Sequence, residues 1–198
     1  MCLHVGCYRQ RYFSKHSRDE RINPMTSTSV IWHPLETPWP GHSLMLINHA
    51  LFWPAESALL ISDLHLGRAE TFQRAGLPLP SGQEDAVLAR LASLQAFTGA
   101  LNLFILGDVF HAISGITDSR VEAFGQWLEQ LPASVHLIAG NHDRYSEKIF
   151  AAWGLPALAS LELAGIQLVH EPQTKDVHIC GLLHPVAQVG TRRDYVRL

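Results

Sequence analysis

Short runs of apolar residues alternate along the chain with segments in which apolar positions recur at helical spacing. The runs, each interrupted by no more than one polar residue and typical of buried strands, lie at residues 58–62, 101–106, 135–139, 165–169 and 177–180. The helical spacing occurs at residues 83–97, 118–131 and 145–153. Because buried strands that alternate with helices are typical of a parallel sheet covered by helices, the pattern predicts an α/β fold.

Two further segments complete the predicted elements. Residues 44–48 and 51–53 are apolar except for Asn48, which begins the turn Asn48-His49-Ala50 between them, and this predicts a hairpin. Residues 68–82 contain two glycines and two prolines, which predicts a segment that is mostly loop.

Five of the predicted strands end in polar residues that can bind a metal ion or transfer a proton. These residues are Asp63 and His65, Asp108, Asn141 and His142, His170, and His184. Because ligand sites in open α/β sheets form outside the carboxyl ends of the strands, we expect these side chains to lie close together. A set of carboxylate, imidazole and amide groups without thiolate suits Mn²⁺, Fe or Zn²⁺ better than Cu⁺.

Taken alone, most of these motifs also have an ordinary explanation. Asp-x-His at 63–65 fits a turn aspartate beside a surface histidine, and Gly-Asp at 107–108 fits common turn chemistry. Gly-Asn-His-Asp at 140–143 is more specific, because four polar or turn residues follow a largely apolar strand. The occurrence of all these motifs in one chain, each at a strand end, favours a metal site.

Composition and charge exclude several classes of protein. With 47% hydrophobic and 17% charged residues among 198, the chain is not disordered throughout. A net charge of −3 excludes a uniformly basic nucleic-acid-binding protein. Three cysteines are too few for a disulfide framework, and no apolar run reaches the roughly 20 residues of a membrane-spanning helix. We therefore expect a cytoplasmic protein with no membrane partner, in which twelve histidines point to metal chemistry.

The N-terminal segment differs from the rest of the chain in its charge. Residues 1–24 carry a net charge of +3, whereas the remaining 174 residues carry −6. The segment lacks the apolar core and the cleavage site of a secretory signal. We expect an extra or flexible N-terminal segment at residues 1–27 and one folded domain at residues 28–198.

The motifs together resemble the calcineurin-like metallophosphoesterase superfamily, over roughly residues 44–190. The resemblance rests on Asp-x-His at 63–65, Gly-Asp at 107–108, Gly-Asn-His-Asp at 140–143, His170, and Gly-x-x-His at 181–184. The stretches at 62–67, 72–76, 106–111 and 170–172 are most similar to the bacterial branch called ligase-associated DNA damage response endonuclease. Protein phosphatases have an Asp-Arg pair where this chain has Phe110-His111, which makes that branch a poor match.

The resemblance implies a four-layer αββα sandwich of two mixed sheets, and a hydrolase that uses two divalent ions. Mn²⁺ is the preferred ion, with Fe or Zn²⁺ as alternatives. The metal ligands that it implies are Asp63, His65 and His184 for the first ion, Asn141 and His170 for the second, and Asp108 as a bridge between them.

The same resemblance implies roles for three residues that follow Asn141. His142 would stabilise and protonate the leaving oxygen of the scissile phosphate, and Asp143 would orient the His142 ring by a hydrogen bond. Arg144 would contact the phosphate, although a surface salt bridge is an alternative explanation for it.

The last motif departs from the family pattern at Leu182. The family usually has histidine there, as a ligand of the second metal, and leucine has no donor atom. The affinity for the second ion should therefore fall. Three interpretations stay open: a weakened two-metal enzyme, a one-metal enzyme, or a catalytically inactive relative. A sequence error or a sporadic substitution also stays open.

The branch resemblance implies DNA as the substrate, and a DNA ligase and a helicase-like repair protein as partners. The alternatives are hydrolysis of a small phosphodiester or nucleotide, and a non-enzymatic relative that binds metal and DNA. The chain ends 14 residues after His184, where relatives in this branch generally continue with further strands. We therefore expect the domain to lack C-terminal strands.

Overall fold

The computed structural model describes residues 2–4, 19–22, 29–35, 37, 42–80, 82–174, 177–181, 188–190 and 195–197. Its larger sheet has eight strands, in the spatial order of the chain. They are β2 (Asp19–Ile22), β3 (Ser29–Leu35), β4 (Leu44–Ile47), β5 (Ala50–Trp53), β6 (Ala58–Ile61), β7 (Asn102–Leu106), β8 (Ser134–Ile138) and β9 (Ala157–Leu158).

A smaller sheet and a separate hairpin contain the other strands. The smaller sheet consists of β1 (Cys2–His4), β12 (His178–Cys180), β11 (Ile166–Val169) and β10 (Leu161–Leu163), in that spatial order. The hairpin consists of β13 (Gln188–Gly190) and β14 (Tyr195–Arg197).

Both sheets are mixed. From β2 to β6 neighbouring strands are antiparallel, and from β6 to β9 they are parallel. In the smaller sheet β1, β12 and β11 are parallel, and β10 runs against β11. The carboxyl ends of β6, β7 and β8 therefore meet at one edge of the larger sheet.

In the part of the chain that the structure describes, four α-helices connect the strands. They are α1 (Arg68–Arg74), α2 (Gln83–Thr98), α3 (Asp118–Gln130) and α4 (Glu147–Ala152). The Thr117 hydroxyl caps α3 by accepting a hydrogen bond from the amide of Arg120, and Gly99 ends α2 in a left-handed conformation. No helix in the described part of the chain is both long enough and apolar enough to cross a membrane.

Successive residues of the parallel strands face opposite layers. In β7, Leu103 and Ile105 pack in the core beneath the helices, whereas Phe104 and Leu106 pack in the core shared with the smaller sheet. Leu91 of α2 and Phe124 of α3 complete the first core. Because both faces of these strands are covered, they read as continuous apolar runs in the sequence.

The predicted α/β class with two mixed sheets is confirmed. The helical layer on the larger sheet comes from α2, α3 and α4. The core between the two sheets is formed by strand residues. Among the described residues, no helix packs on the outer face of the smaller sheet in either core cluster. The division of the chain at residue 28 stays a prediction; β1 and β2, which precede it, pair with β12 and β3.

The expectation that residues 68–82 are mostly loop is wrong in its first half, where α1 forms. Gly67 lies in the left-handed region at φ 77° and begins the helix. Residues 68–74 contain neither glycine nor proline, so they are free to continue it. The glycines and prolines that suggested a loop all follow the end of α1.

Candidate metal-binding active site

The loops that follow β6 and β7 are joined by backbone hydrogen bonds. The amide of Asp63 donates to the carbonyl of Gly107 at 3.1 Å, and the amide of His65 donates to the carbonyl of Asp108 at 2.9 Å. The amide of Leu66 continues the pairing to Val109 at 2.8 Å. The two polar motifs that end these strands are therefore held side by side.

These loops contain a cluster of unusual backbone conformations. Asp63, His65 and Asp108 have φ values of 56°, 47° and 57°, in the left-handed region that non-glycine residues rarely adopt. Such a conformation costs on the order of 1–3 kcal/mol per residue and persists where the surroundings enforce it. The fold therefore holds three potential metal ligands in a conformation that their own backbones disfavour.

Two glycines allow the loops to approach so closely. A Cβ atom on Gly140 would overlap the Asp108 carboxylate, and one on Gly107 would overlap the His170 ring. Gly107 also has a φ of 88°. The glycines of Gly-Asp and Gly-Asn-His-Asp are thus required by the close approach of side chains from other loops, His170 against Gly107 and Asp108 against Gly140.

Asp143 ties the loops after β7 and β8 together through its buried carboxylate, which is 2% exposed. Its two oxygens accept hydrogen bonds from the amides of Asp108 at 2.8 Å, Val109 at 3.0 Å, Phe110 at 3.4 Å and Gly140 at 3.0 Å. Burial raises the pKa of this carboxyl, and the charge of Asp108 adds to the increase, while the hydrogen bonds from backbone amides act in the opposite direction.

The expectation that Asp143 orients the His142 ring is wrong. The Asp143 carboxylate accepts its hydrogen bonds from backbone amides, three in the loop after β7 and one at Gly140. The His142 Nδ1 atom instead lies 2.6 Å from the carbonyl oxygen of His111. Asp143 therefore acts on the site by positioning the backbone that carries Asp108.

His170 presents one ring nitrogen to the centre of the site. Its Nδ1 atom lies 2.7 Å from the carbonyl oxygen of Leu106, and because a carbonyl only accepts, Nδ1 carries the proton. In the neutral ring Nε2 then has a lone pair, and it lies 2.8 Å from Asn141 Oδ1 and 3.6 Å from Asp108 Oδ1. Three electron-pair donors, two of them on the buried residues Asp108 and His170, converge on one point, which is the arrangement that a cation completes.

His142 lies at the exposed side of this cluster. Its backbone amide donates to Asp108 Oδ1 at 2.9 Å, and its Nε2 atom lies 4.0 Å from Asp108 Oδ2. Because Nδ1 donates to the His111 carbonyl, Nε2 is the nitrogen that remains for a substrate or a proton. The side chain is 38% exposed, so a molecule from solvent can reach it.

His111 is a site residue that the sequence interpretation did not assign to chemistry. Its ring centre lies 5.3 Å from that of His65 and 5.8 Å from that of His142, and it stacks on Phe72 at 5.7 Å. Burial lowers the pKa of His111, and the charges of Arg68 and His142 lower it further. The sequence contains a signal for this residue, because His111 follows Asp108 by three residues within the stretch 106–111 that carries the branch resemblance.

Two groups of side chains among the described residues bring their ligand atoms within 4.8 Å of one another. They are Asp63, His65 and Asp108, and His65, His111 and His142. Asp108 also connects the first group to Asn141 and His170. The structure thus brings these predicted residues to one edge of the sheet, while their assignment as metal ligands stays a prediction. His184 and Leu182 lie outside the described residues.

Arg144 lies beside the cluster and not within it. It is exposed, and it lines a shallow groove together with Asn141, His170 and Glu171. Its predicted contact with a phosphate therefore concerns the rim of the site. The alternative of a surface salt bridge is not seen among the ion pairs of the described residues.

Comparison with known proteins places these features in a family. A model of the calcineurin-like phosphoesterase family matches residues 57–181. The chain is similar to the nuclease MPE of Pseudomonas putida, at 31% identity and a TM-score of 0.67, over 84% of this chain and 79% of that one.

A weaker similarity, at 21% identity and a TM-score of 0.40, is to a protein of unknown function, AQ665, from Aquifex aeolicus, over 58% of this chain and 60% of that one. No curated protein matches the chain. The family match spans the strand ends that carry the site, from Asp63 to Gly181. The chain therefore belongs to the calcineurin-like phosphoesterase family, and it is a metallophosphoesterase, a hydrolase that depends on divalent metal ions.

Proposed function

We propose that this enzyme hydrolyses phosphodiester bonds of DNA, with two divalent metal ions bound at the carboxyl edge of the larger sheet. The observation that carries the proposal is the convergence of His170 Nε2 and the oxygens of Asn141 and Asp108 on one point, beside the group of Asp63, His65 and Asp108. The donor set suits Mn²⁺, with Fe or Zn²⁺ as alternatives.

The proposed ligands divide between the two ions. Asp63, His65 and His184 would hold the first ion, Asn141 and His170 would hold the second, and Asp108 would be the ligand that the two sites share. When bound, divalent ions in such a site neutralise the phosphate and lower the pKa of the attacking water. A carboxylate suits the shared position, because Asp108 Oδ1 lies 3.6 Å from His170 Nε2 and the same carboxylate lies within 4.8 Å of the ligand atoms of Asp63 and His65.

His142 is the proposed acid of the reaction. The His111 carbonyl fixes its ring through Nδ1, so the proton of the proposed acid is carried on Nε2, which lies 4.0 Å from Asp108 Oδ2. A protonated Nε2 stabilises negative charge on the leaving oxygen and delivers the proton as the bond breaks. Asp143 contributes by positioning the backbone of Asp108 and Gly140.

DNA is favoured as the substrate by the similarity to a nuclease at 31% identity. A role in DNA repair, with a DNA ligase and a helicase-like protein as partners, is part of the proposal and derives from the branch resemblance of the sequence. The exposed Arg144 at the rim supplies a charge that suits a phosphate next to the scissile one.

The test compares cleavage of DNA with hydrolysis of bis-p-nitrophenyl phosphate, both in Mn²⁺. We expect the protein to cleave DNA, and Asp108→Ala and His142→Ala each to reduce that cleavage strongly. Cleavage that survives both substitutions would mean that a contaminant is responsible. Hydrolysis of the small diester without cleavage of DNA would favour the alternative of a small-phosphodiester hydrolase.

A further inference from the structure

We propose that the groove between the carboxyl ends of β8 and β11 binds one nucleotide of the strand being cleaved, with Arg144 on its phosphate and Glu171 on the edge of its base. The inference rests on the proposed function, because it says where the substrate of that reaction lies. The phosphate contact of Arg144 is a prediction from the sequence, and the groove and the base contact of Glu171 extend it.

The groove opens directly from the candidate metal site. Asn141 and His170, which converge with Asp108, form part of its lining. The other walls come from the chain that follows each strand, including Arg144, Glu171 and Gln173. The groove encloses about 420 Å³, within the range of about 300–1,000 Å³ that small-molecule sites occupy. A strand whose phosphate lies at the metal site would therefore place a neighbouring nucleotide here.

The backbone on the Arg144 side is fixed. Arg144 lies in the single helical turn Asp143–Tyr145, between Asp143, which is 2% exposed, and Ser146, which is fully buried. The amide of Ser146 donates to the carbonyl of Asp143 at 2.8 Å. The exposed guanidinium is thus presented from a rigid turn.

The backbone on the Glu171 side is fixed as well. The carbonyl of His170 accepts a hydrogen bond from the amide of Gly181 at 3.1 Å, and the amide of Gln173 donates to the buried His178 Nε2 at 3.1 Å. Pro172 between these anchors has a restricted φ. Glu171 is therefore exposed although the chain around it is held, and a preorganised group loses little entropy when it binds.

The charges of the groove suit a nucleotide. Neither Arg144 nor Glu171 takes part in an ion pair among the described residues. A guanidinium matches the geometry of a phosphate. A carboxylate only accepts hydrogen bonds, so it repels phosphate and favours base edges that carry N–H groups. Guanine offers two adjacent N–H groups to the two carboxylate oxygens, whereas thymine offers one N–H group.

The experiment maps cleavage of thymidine oligonucleotides in which a single guanine is moved position by position. In Mn²⁺ we expect the enzyme to cleave at a fixed distance from the guanine about tenfold faster than in the all-thymidine strand, the discrimination of one good base contact. Glu171→Gln should reduce this preference at least threefold. Arg144→Ala should raise KM for every oligonucleotide relative to that for bis-p-nitrophenyl phosphate.

Glu129→Gln on α3 and Arg90→Ala on α2 are matched controls, because both residues are exposed in the helical layer. They should keep the guanine preference and the KM ratio. Cleavage without a guanine preference, or a preference that Glu171→Gln retains, overturns the subsite and leaves the proposed function intact. Failure of the enzyme to cleave any oligonucleotide overturns the proposed function itself, and the subsite with it.

Discussion

Two clusters of charged side chains in this molecule balance their charges differently. Around Arg120 of α3, the guanidinium nitrogens lie 2.8 Å from Glu70, 3.0 Å from Glu84 and 2.9 Å from Asp85. At the carboxyl edge of the sheet, the ion-pair partners of the buried Asp108 among the described residues are two histidines, His142 at 4.0 Å and His170 at 3.6 Å.

This difference in charge balance indicates that the Arg120 cluster is structural and that the Asp108 cluster binds a ligand. Arg120 carries a permanent charge, and it joins α1, α2 and α3 without any added ion. Histidine supplies a positive charge only when it is protonated, and His170 turns a lone pair toward Asp108 and Asn141 when it is neutral. A cluster rich in acceptors and poor in permanent cations gains most from a metal ion.

The largest effect is expected from Asp108→Asn, which removes the charge and keeps an oxygen that accepts from the His142 amide. Phosphodiester hydrolysis should fall by at least about 10³-fold, because a shared ligand of the proposed ions is lost. Mn²⁺ should raise the melting temperature of the unsubstituted protein, since it binds the folded state, but not that of the variant. Calorimetry with and without a chelator checks this, and equal stabilisation of both proteins would contradict it.

Asp143→Asn should destabilise the fold by about 3 kcal/mol. The amide that replaces the carboxylate has a single acceptor oxygen for four backbone N–H groups, and its NH₂ faces other donors. Urea unfolding measures the loss, with Glu129→Gln as the exposed control. The loss should be the same with Mn²⁺ and with a chelator if Asp143 positions backbone and binds no ion; a loss seen only with Mn²⁺ would make it a ligand.

Arg120→Ala should cost about 2 kcal/mol of unfolding free energy, because three carboxylates lose their shared partner. Glu70 and Glu84 are buried enough for the loss to matter, whereas Asp85 is largely exposed and adds little. Arg90→Ala, on the exposed side of α2, should stay within about 0.5 kcal/mol in the same unfolding experiment. Equal effects of the two substitutions would show that the Arg120 cluster is not structural.

Leu182→His is expected to increase metal affinity and activity, and this effect should be smaller than the losses above. If position 182 faces the second ion, the new imidazole should tighten binding of that ion about tenfold and increase activity. Isothermal titration with Mn²⁺ gives the stoichiometry and affinity. No change in either quantity would show that position 182 is not next to the metal, and a native protein that already binds two ions tightly would remove the weakened-site interpretation.

The fold was predictable to the extent that local pattern and packing agree. The apolar runs of β6, β7 and β8 identified strands because both of their faces are covered. Helix α1 was missed because glycine and proline beyond its end dominated the window around it.

The candidate site was predictable from the position of polar residues at strand ends, since topology brings those ends together. The contacts within it were not. Asp143 follows His142 in sequence, yet its carboxylate turns to amides of the loop after β7, more than thirty residues away. His111 was missed because its ring contacts His65 and His142 only in the folded chain.

Anomalous diffraction from crystals soaked in Mn²⁺ tests the central claim most directly, namely that the carboxyl edge is completed by divalent cations. We expect one strong peak within bonding distance of Asp63, His65 and Asp108, and a weaker one between Asp108, Asn141 and His170. The absence of any manganese peak at Asp108, in crystals where the ion is bound elsewhere, would contradict the claim.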